Sequence, residues 1–297
     1  MIDLGPLHGR VAGAPISWGV CEAPGWGYEQ PPSVVLTEMA ELGLPATELG
    51  PTGYLGPDPE AVRRTLAEHG LSLVGGFLPV TMHLAADADL EPAGAAMRTL
   101  AAAGGRQLVL AADAGPDGYQ EKVRPTDAQW RNLLHNLERV RALADSLGLA
   151  TTFHPHVGTA VESADVVERL LADSDVSVCL DTGHLAIGGV DPLELTREHP
   201  NRIGHVHLKD VRLAVAREVA AGTTGFLECV REGLFAPLGA GDLDIAGVVR
   251  LLEGAGYTGW YVLEQDTSLE GPPAAGTGPV EDVRRSLRFL AEVARGL

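Results

Sequence analysis

A closed eight-stranded parallel (β/α) barrel is the fold that the sequence predicts, on three observations. Short apolar runs alternate with amphipathic helical stretches about eight times, the pattern of parallel strands joined by crossover helices. The chain has 297 residues and is 45% hydrophobic, which suits one such barrel as a single domain over residues 1–297. Finally, Trp18, Glu48, His154, Asp181, His207 and Glu264 each end an apolar run, and the C-terminal ends of barrel strands are where such folds carry catalysis. A doubly wound open sheet is the rival, weakened because no Gly-x-Gly-x-x-Gly follows any strand.

The elements follow from local signals. Ala14 to Gly19 reads as the first strand, followed by a loop rich in Pro and Gly. Ser33 can cap a helix that runs to Leu42 and stops at Gly43. Ala46 to Leu49 is the second strand. Asp58-Pro-Glu opens a helix ending at Gly70, with Pro59 in its first turn. Leu71 to Leu78 is the third strand, Glu91 to Ala103 a helix, and Gln107 to Ala112 the fourth strand. Leu133, Leu137 and Val140 place an apolar face on a long helix from Thr126 to Leu147, closed by Gly148. Ala150 to His154, Val176 to Asp181, Ile203 to Leu208 and Gly259 to Glu264 are the remaining strands. Helices fall near 163–172, after Asp191-Pro192, over 244–253 and over 280–295. The loop Glu270 to Pro279 is rich in Pro and Gly. An excursion at 212–243, helical but broken by Gly222 and Gly225, is too long for a plain crossover; a lid and a contact with another subunit are its two readings.

Composition excludes some functions. The formal net charge is −18, whereas nucleic-acid binding needs a basic footprint; the same balance argues against anionic membrane surfaces. There is no apolar run near the length of a membrane span and no positively led signal segment. Three cysteines, Cys21, Cys179 and Cys229, make no disulfide framework and fit a reducing cytoplasm. Without Gly-x-Ser-x-Gly, a Walker-type loop or Cys-x-x-Cys, covalent serine chemistry and phosphate-loop chemistry have no support.

Strand parity sharpens the candidate site. If Asp181 points into the barrel, Cys179 and Ser177 do too. His154 carries Thr152 and Ala150 inward, and Glu264 carries Val262 and Trp260. His205 and His207 point the same way, about 6–7 Å apart. The central expectation is that His154, Asp181, His207 and Glu264 converge on one divalent ion. Two imidazoles and two carboxylates suit Mn²⁺ or Co²⁺, with Zn²⁺, Fe²⁺ or Mg²⁺ behind them. The competing reading, four separate hydrogen-bonded polar groups, must bury ionised side chains without a partner, which is costly. His156 and His184 at the mouth are substrate contacts or solvated loop histidines. Glu48 binds substrate hydroxyls or caps a loop. Lys209-Asp210 is a base with its orienter or a surface ion pair. Arg212 holds a substrate oxygen or lies on a solvated face. His8, His69, His83, His135 and His199 read as surface residues.

Together these motifs resemble a known family. Pro15-Ile-Ser-Trp-Gly19, Thr47-Glu-Leu-Gly50, Leu180-Asp-Thr-Gly-His184, Gly204-His-Val-His-Leu-Lys-Asp210 and Leu263-Glu-Gln-Asp266 are similar to the xylose-isomerase-like TIM-barrel family over nearly the whole chain. That family includes sugar isomerases, ketose 3-epimerases, inosose isomerases, inosose dehydratases and apurinic endonucleases. Phe153-His-Pro-His-Val-Gly-Thr159 and His207-Leu-Lys-Asp-Val-Arg212 look most like inosose dehydratases. The resemblance implies a divalent ion held by His154, Asp181, His207 and Glu264. The epimerases have a glutamate where His154 stands, and there it doubles as a proton-transfer base. The departure favours a dehydratase over an epimerase.

The expected substrate is therefore a cyclic polyol ketone or keto-sugar that loses water through an enediolate, with Lewis-acid help at its oxygens. Glu264, His184, His156 and Lys209 are the candidate acids and bases, and Trp18, Glu48, His156, His184 and Arg212 the substrate contacts. An isomerase or 3-epimerase of a keto-sugar or inosose is the second reading. A non-catalytic sugar-binding barrel is the third. No nucleic-acid or membrane partner is expected, a cytoplasmic location is, and a homo-oligomer is compatible with the chain.

Overall fold

The computed structural model describes residues 2–115, 123–274 and 276–297. Its main sheet is the parallel barrel expected, in the order β3-β2-β1-β11-β8-β7-β6-β5-β4. The strands are β1 (Val11–Gly13), β2 (Ala46–Thr47), β3 (Ser72–Leu73), β4 (Gly75–Pro79), β5 (Gln107–Ala111), β6 (Ala150–Phe153), β7 (Ser177–Asp181), β8 (Ile203–Leu208) and β11 (Tyr261–Leu263). The third strand of the sequence reading is split at Val74. Its first half pairs with β2 and its second with β5. Val74 bridges the two: its N–H donates to Thr47 and its carbonyl accepts from Arg106 and Gln107. One chain segment thus closes the ring.

Helices α1 (Pro32–Leu42), α2 (Pro59–Glu68), α3 (Glu91–Ala103), α4 (Asp127–Ser146), α5 (Ala164–Asp173), α7 (Pro192–Glu198), α10 (Ile245–Gly254) and α11 (Pro279–Ala294) supply the crossovers. Their starts obey simple capping chemistry. Asp58, Asp191 and Asp244 accept from first-turn backbone N–H groups, satisfying donors that a helix end leaves unpaired. Thr126 and Gln129 form a reciprocal capping box on α4. Apolar residues of the helices and the outward strand faces, such as Leu36, Leu133, Leu180, Val206 and Leu287, pack into one buried core.

Several local expectations are corrected. The first strand is Val11–Gly13, and Pro15–Trp18 is a 3-10 turn ending at Gly19 in the left-handed region. The Pro there fixes the turn, so Ala14 is the last extended residue. Helix α1 begins at Pro32, not after Ser33; the fixed proline ring occupies its first position. A short helix, α6 (Thr182–Ile187), was not anticipated; Asp181 caps it through the His184 N–H at 2.8 Å. His83 is buried rather than superficial, because α4 pins its segment: Asn132 and Asn136 donate to the carbonyls of His83, Met82 and Ala85. Within the loop of 270–279, residue 275 lies outside the described residues.

The excursion is a small layer of its own. Strand β9 (Asp210–Val211) pairs antiparallel with β10 (Phe235–Ala236), and α8 (Leu213–Ala221) and α9 (Phe226–Arg231) lie between them. It packs in a second apolar cluster that includes Trp26 and Val157 of loops and Ile187 at the end of α6.

Candidate metal centre

A local irregularity sets the site's register. Val178 pairs with Ile203, but Cys179 pairs with His205, so Gly204 is an extra residue in β8. Downstream of this bulge Leu180 faces Val206 and Asp181 faces His207. Without it Asp181 would stand opposite Val206, whose side chain points to the helices. Bulges re-aim side chains next to active sites. Glycine is needed here for space: a methyl would stand 2.7 Å from Thr152 Cγ2 and 2.9 Å from Ser177 Cβ.

The strand ends bring four donor atoms together. Asp181 Oδ2 lies 3.5 Å from His154 Nε2 and 3.6 Å from His207 Nδ1. His207 Nδ1 is 3.1 Å from Glu264 Oε2. Asp181, His207 and Glu264 form a group whose ligand atoms all lie within 4.8 Å of one another. His154 joins from the Asp181 and His207 side rather than from the Glu264 side.

Neighbouring groups fix the two imidazoles. His207 Nε2 pairs with Glu48 Oε1 at 3.1 Å, which places an N–H there and leaves Nδ1 turned toward the carboxylates of Asp181 and Glu264. His154 Nδ1 pairs with the Pro155 carbonyl at 2.8 Å, which presents Nε2. Glu48 also takes His205 Nε2 at 2.8 Å, so one buried carboxylate orients both histidines of the His-Val-His run. Glu48 is buried and engaged by these two histidines.

Lys209 completes the cluster. Its ammonium lies 2.5 Å from Asp266 Oδ1, 3.1 Å from Glu264 Oε2, 3.5 Å from Asp181 Oδ2 and 3.1 Å from His184 Nε2. The lysine is buried, and Thr182 Oγ1 clamps its backbone from both sides, donating to the Lys209 carbonyl and accepting from its N–H. His156 and His184 stack with ring centroids 3.7 Å apart.

The electrostatics follow from burial set against charge. Burial opposes every ion here. Around Asp181 the charge of Lys209, with the His154 and His207 rings beside it, more than offsets it, and the carboxyl is held well below its usual range. Glu264 is likewise lowered, by His207 and Lys209. Burial would neutralise Lys209, but Asp181, Asp266 and Glu264 raise its pKa well above the ordinary value. His207 too is raised, since Glu264 and Glu48 outweigh its desolvation. Burial pushes His156 down to about 3, helped by His154 and Lys209, and drives His184 well below the ordinary imidazole value. Asp266 is raised by burial, which Lys209 only partly offsets. The pocket is therefore an anionic centre that draws cations, beside a pair of neutral imidazoles.

Does this donor set fit a divalent ion? Asp181 Oδ2 and His207 Nδ1 are buried, turned toward each other, and without a hydrogen-bond partner. Buried polar atoms left unpaired are expensive, and one cation, taking the place of the imidazole proton, would satisfy both. Two imidazole nitrogens with two carboxylate oxygens suit a borderline divalent ion. The residues fit.

Two expected substrate contacts are placed elsewhere. Trp18 is buried in the main core, its indole N–H donating to Glu38 Oε2 at 2.7 Å on α1. The 3-10 turn rotates it away from the mouth. Arg212 is exposed and donates to the carbonyls of Gly233 and Phe235, tying the excursion together. The sequence reading missed Asp266, Phe226 and Phe235 as neighbours of Lys209 and His184. The Leu263-Glu-Gln-Asp266 run carried a signal for the first, but nothing local marked the two phenylalanines.

A family model described as a xylose isomerase-like TIM barrel matches residues 36–293. An inosose dehydratase of Geobacillus kaustophilus (strain HTA426) is 32% identical over 278 residues, covering 89% of this chain and 90% of that protein. The rhizopine catabolism protein MocC of Rhizobium meliloti is 32% identical over 266 residues, covering 86% and 81%. Among solved structures, an L-ribulose 3-epimerase superposes with a TM-score of 0.69 at 19% identity, over 97% of this chain and 96% of that one. The IOLI protein with a binding zinc atom superposes with a TM-score of 0.66 at 12% identity, over 97% and 98%. At these identities the solved structures speak for the fold alone.

Proposed function

Since the chain belongs to the xylose isomerase-like TIM barrel family, we propose that it is a metal-dependent hydro-lyase that removes water from a cyclic polyol ketone of the inosose class. That it is an enzyme, a lyase, follows from its similarity to the inosose dehydratases over most of its length. The observation that carries the finer reading is the Lys209 ammonium 3.1 Å from the Glu264 carboxylate, at the edge of the four-residue cluster. In this reading the two groups serve as acid and base on the same side of the substrate ring. A dehydratase needs both; an epimerase needs bases on two opposite faces.

His154, Asp181, His207 and Glu264 would hold the ion, Mn²⁺ or Co²⁺ ahead of Zn²⁺, Fe²⁺ or Mg²⁺. Bound there, it supplies Lewis acidity to the ketone oxygen, which stabilises the negative charge that develops when the neighbouring carbon loses its proton. Glu264, ionised at neutral pH, accepts that proton at Oε1, the oxygen turned away from His207 and Lys209. The electrons of the broken C–H bond pass into the enediolate. As the adjacent C–O bond breaks, Lys209 Nζ gives a proton to the departing hydroxyl, which leaves as water, and the electrons close the new C=C bond. The enol so formed tautomerises to a dione. Transfer of the proton from Glu264 to Lys209 then resets the pair. His156, neutral at pH 7 with its Nδ1–H on the Val157 carbonyl, accepts a hydrogen bond from a ring hydroxyl at Nε2, and His184, whose Nε2 accepts from Lys209, donates to one through Nδ1–H.

We read residues 1–297 as one barrel domain with the 212–243 excursion as its roof, and place it in the cytoplasm, in keeping with three unpaired cysteines. Among the described residues no helix is long and apolar enough to cross a membrane. The test is to supply scyllo-inosose with Mn²⁺ or Co²⁺. The expected product absorbs in the ultraviolet and is lighter by one water. A product of unchanged mass would favour the isomerase or 3-epimerase reading. Turnover that survives both Asp181→Ala and chelation would overturn the metal role.

A further inference from the structure

We propose that the excursion between β9 and α10 is part of the catalytic apparatus: Phe226 and Phe235 are positioning residues that hold the His184 imidazole and the Lys209 ammonium in place. The inference rests on the reading of Lys209 as the acid and His184 as its neighbour at the substrate.

The rings form a continuous column across the mouth. Phe77 of β4 lies 5.4 Å from His156, His156 lies 3.7 Å from His184, and His184 lies 5.9 Å from Phe226, all at modest tilts. Phe226 continues to Trp26 at 6.5 Å. Phe235 braces the column from the side, 6.2 Å from both His184 and Phe226. Its face also receives the Lys209 Nζ at 5.4 Å, within cation–π range. Thus the excursion touches the Lys209 ammonium and the His184 imidazole beside it through two phenyl rings.

The fit is tight. Between Lys209 and Phe235 lies Gly183, where a methyl would stand 2.7 Å from Lys209 Cβ and 3.1 Å from Phe235 Cε1. Only a bare backbone lets the three approach. The excursion is also tied down at both ends. Asp210 accepts from the N–H groups of Gly239, Gly241 and Leu243. Arg231 of α9 donates to the Gly25 carbonyl and reaches Ser268 Oγ at 3.4 Å. Trp26 in turn donates to Thr267 at 2.7 Å. Three loops therefore fix where Phe226 stands.

The physical consequence is directional. The face of a phenyl ring attracts an ammonium without accepting its proton. Lys209 can therefore be held on that side while its N–H groups stay aimed at Glu264, Asp266 and His184. Phenyl rings against an imidazole limit its rotation and exclude water. Misplacing such a group by about 1 Å costs on the order of 10²-fold in rate.

The experiment uses the full chain loaded with Mn²⁺ and compares Phe235→Leu and Phe226→Leu with the ring-keeping Phe235→Tyr and Phe226→Tyr. The expected result is a fall in kcat of about tenfold or more for both leucine variants, with KM and bound manganese near the wild-type values, and recovery in the tyrosine variants. In metal-free protein the His184 imidazole ¹H–¹⁵N correlations, displaced by the ring currents of Phe226 and Phe235, are expected to move in the leucine variants. Unchanged kcat in both leucine variants, or a loss that only mirrors lost manganese, would overturn the proposal. Should the wild-type protein release no water from the inosose, the functional reading fails instead. The imidazole correlations then decide alone, and their staying in place in both leucine variants would overturn the positioning role.

Discussion

Asp181 and His207 stand opposite each other across β7 and β8 because Gly204 adds one residue to β8 below them. The extra residue shifts the pairing of everything above it, so a backbone irregularity decides which side chains meet. A methyl at Gly204 collides with Thr152 and Ser177. We therefore expect Gly204→Ala to cost about 1–3 kcal/mol through overpacking, measured by urea unfolding. Manganese affinity measured by calorimetry is expected to fall as well, because relaxing the strand moves His207.

Glu48 acts through the two histidines it orients. Glu48→Gln keeps the shape but loses the charge that fixes the His207 tautomer. Second partners of metal-bound histidines are worth roughly 10–100-fold in affinity. A loss of that size is the expected outcome in a metal titration, with far-ultraviolet circular dichroism unchanged.

The capping box on α4 lies at the surface and touches none of the residues of the candidate centre. Thr126 Oγ1 accepts from the Gln129 N–H, and Gln129 Oε1 accepts from the Thr126 N–H. Thr126→Ala is expected to lower stability by about 1 kcal/mol in chemical denaturation, with kcat and KM unchanged.

Burial sets the behaviour of the thiols. It pushes Cys21 up to about 12 and Cys179 up to about 11, since burial strips a thiolate of its water. At pH 8 the folded protein is expected to resist a disulfide reagent at both positions, and the unfolded chain to react at once. The sign for stability follows. In the unfolded chain a thiol ionises near ~8.5, whereas in the fold it stays protonated. The stability contribution is thus complete below that value and is lost as pH rises toward the folded values. Denaturation midpoints measured from pH 7 to 10 are expected to fall.

Much of the barrel was legible because parallel strands buried on both faces leave apolar runs, and their ends are marked by polar residues with few other reasons to be there. The 107–111 and 203–208 strands and the 91–103 helix needed nothing beyond periodicity and a cap. Parity singled out His154, Asp181, His207 and Glu264 at or near the ends of their runs, and the structure brings these side chains close to one another. Trp18 was misread because Pro15 turns the chain before the expected strand end, and a turn changes which way a side chain points without changing the apolar pattern. Glu48 offered a carboxylate at a strand end but no sign that two histidines far along the chain would claim it. Phe226 and Phe235 were illegible for the same kind of reason: the path of a long excursion is set by where it packs, not by its own periodicity.

The most direct trial is a crystal structure of the protein grown with manganese, with anomalous diffraction recorded above and below the manganese edge. A single strong peak bounded by His154 Nε2, Asp181 Oδ2, His207 Nδ1 and Glu264 Oε2 is the predicted result. Those four atoms turned apart, or no anomalous signal between them at saturating manganese, would contradict it.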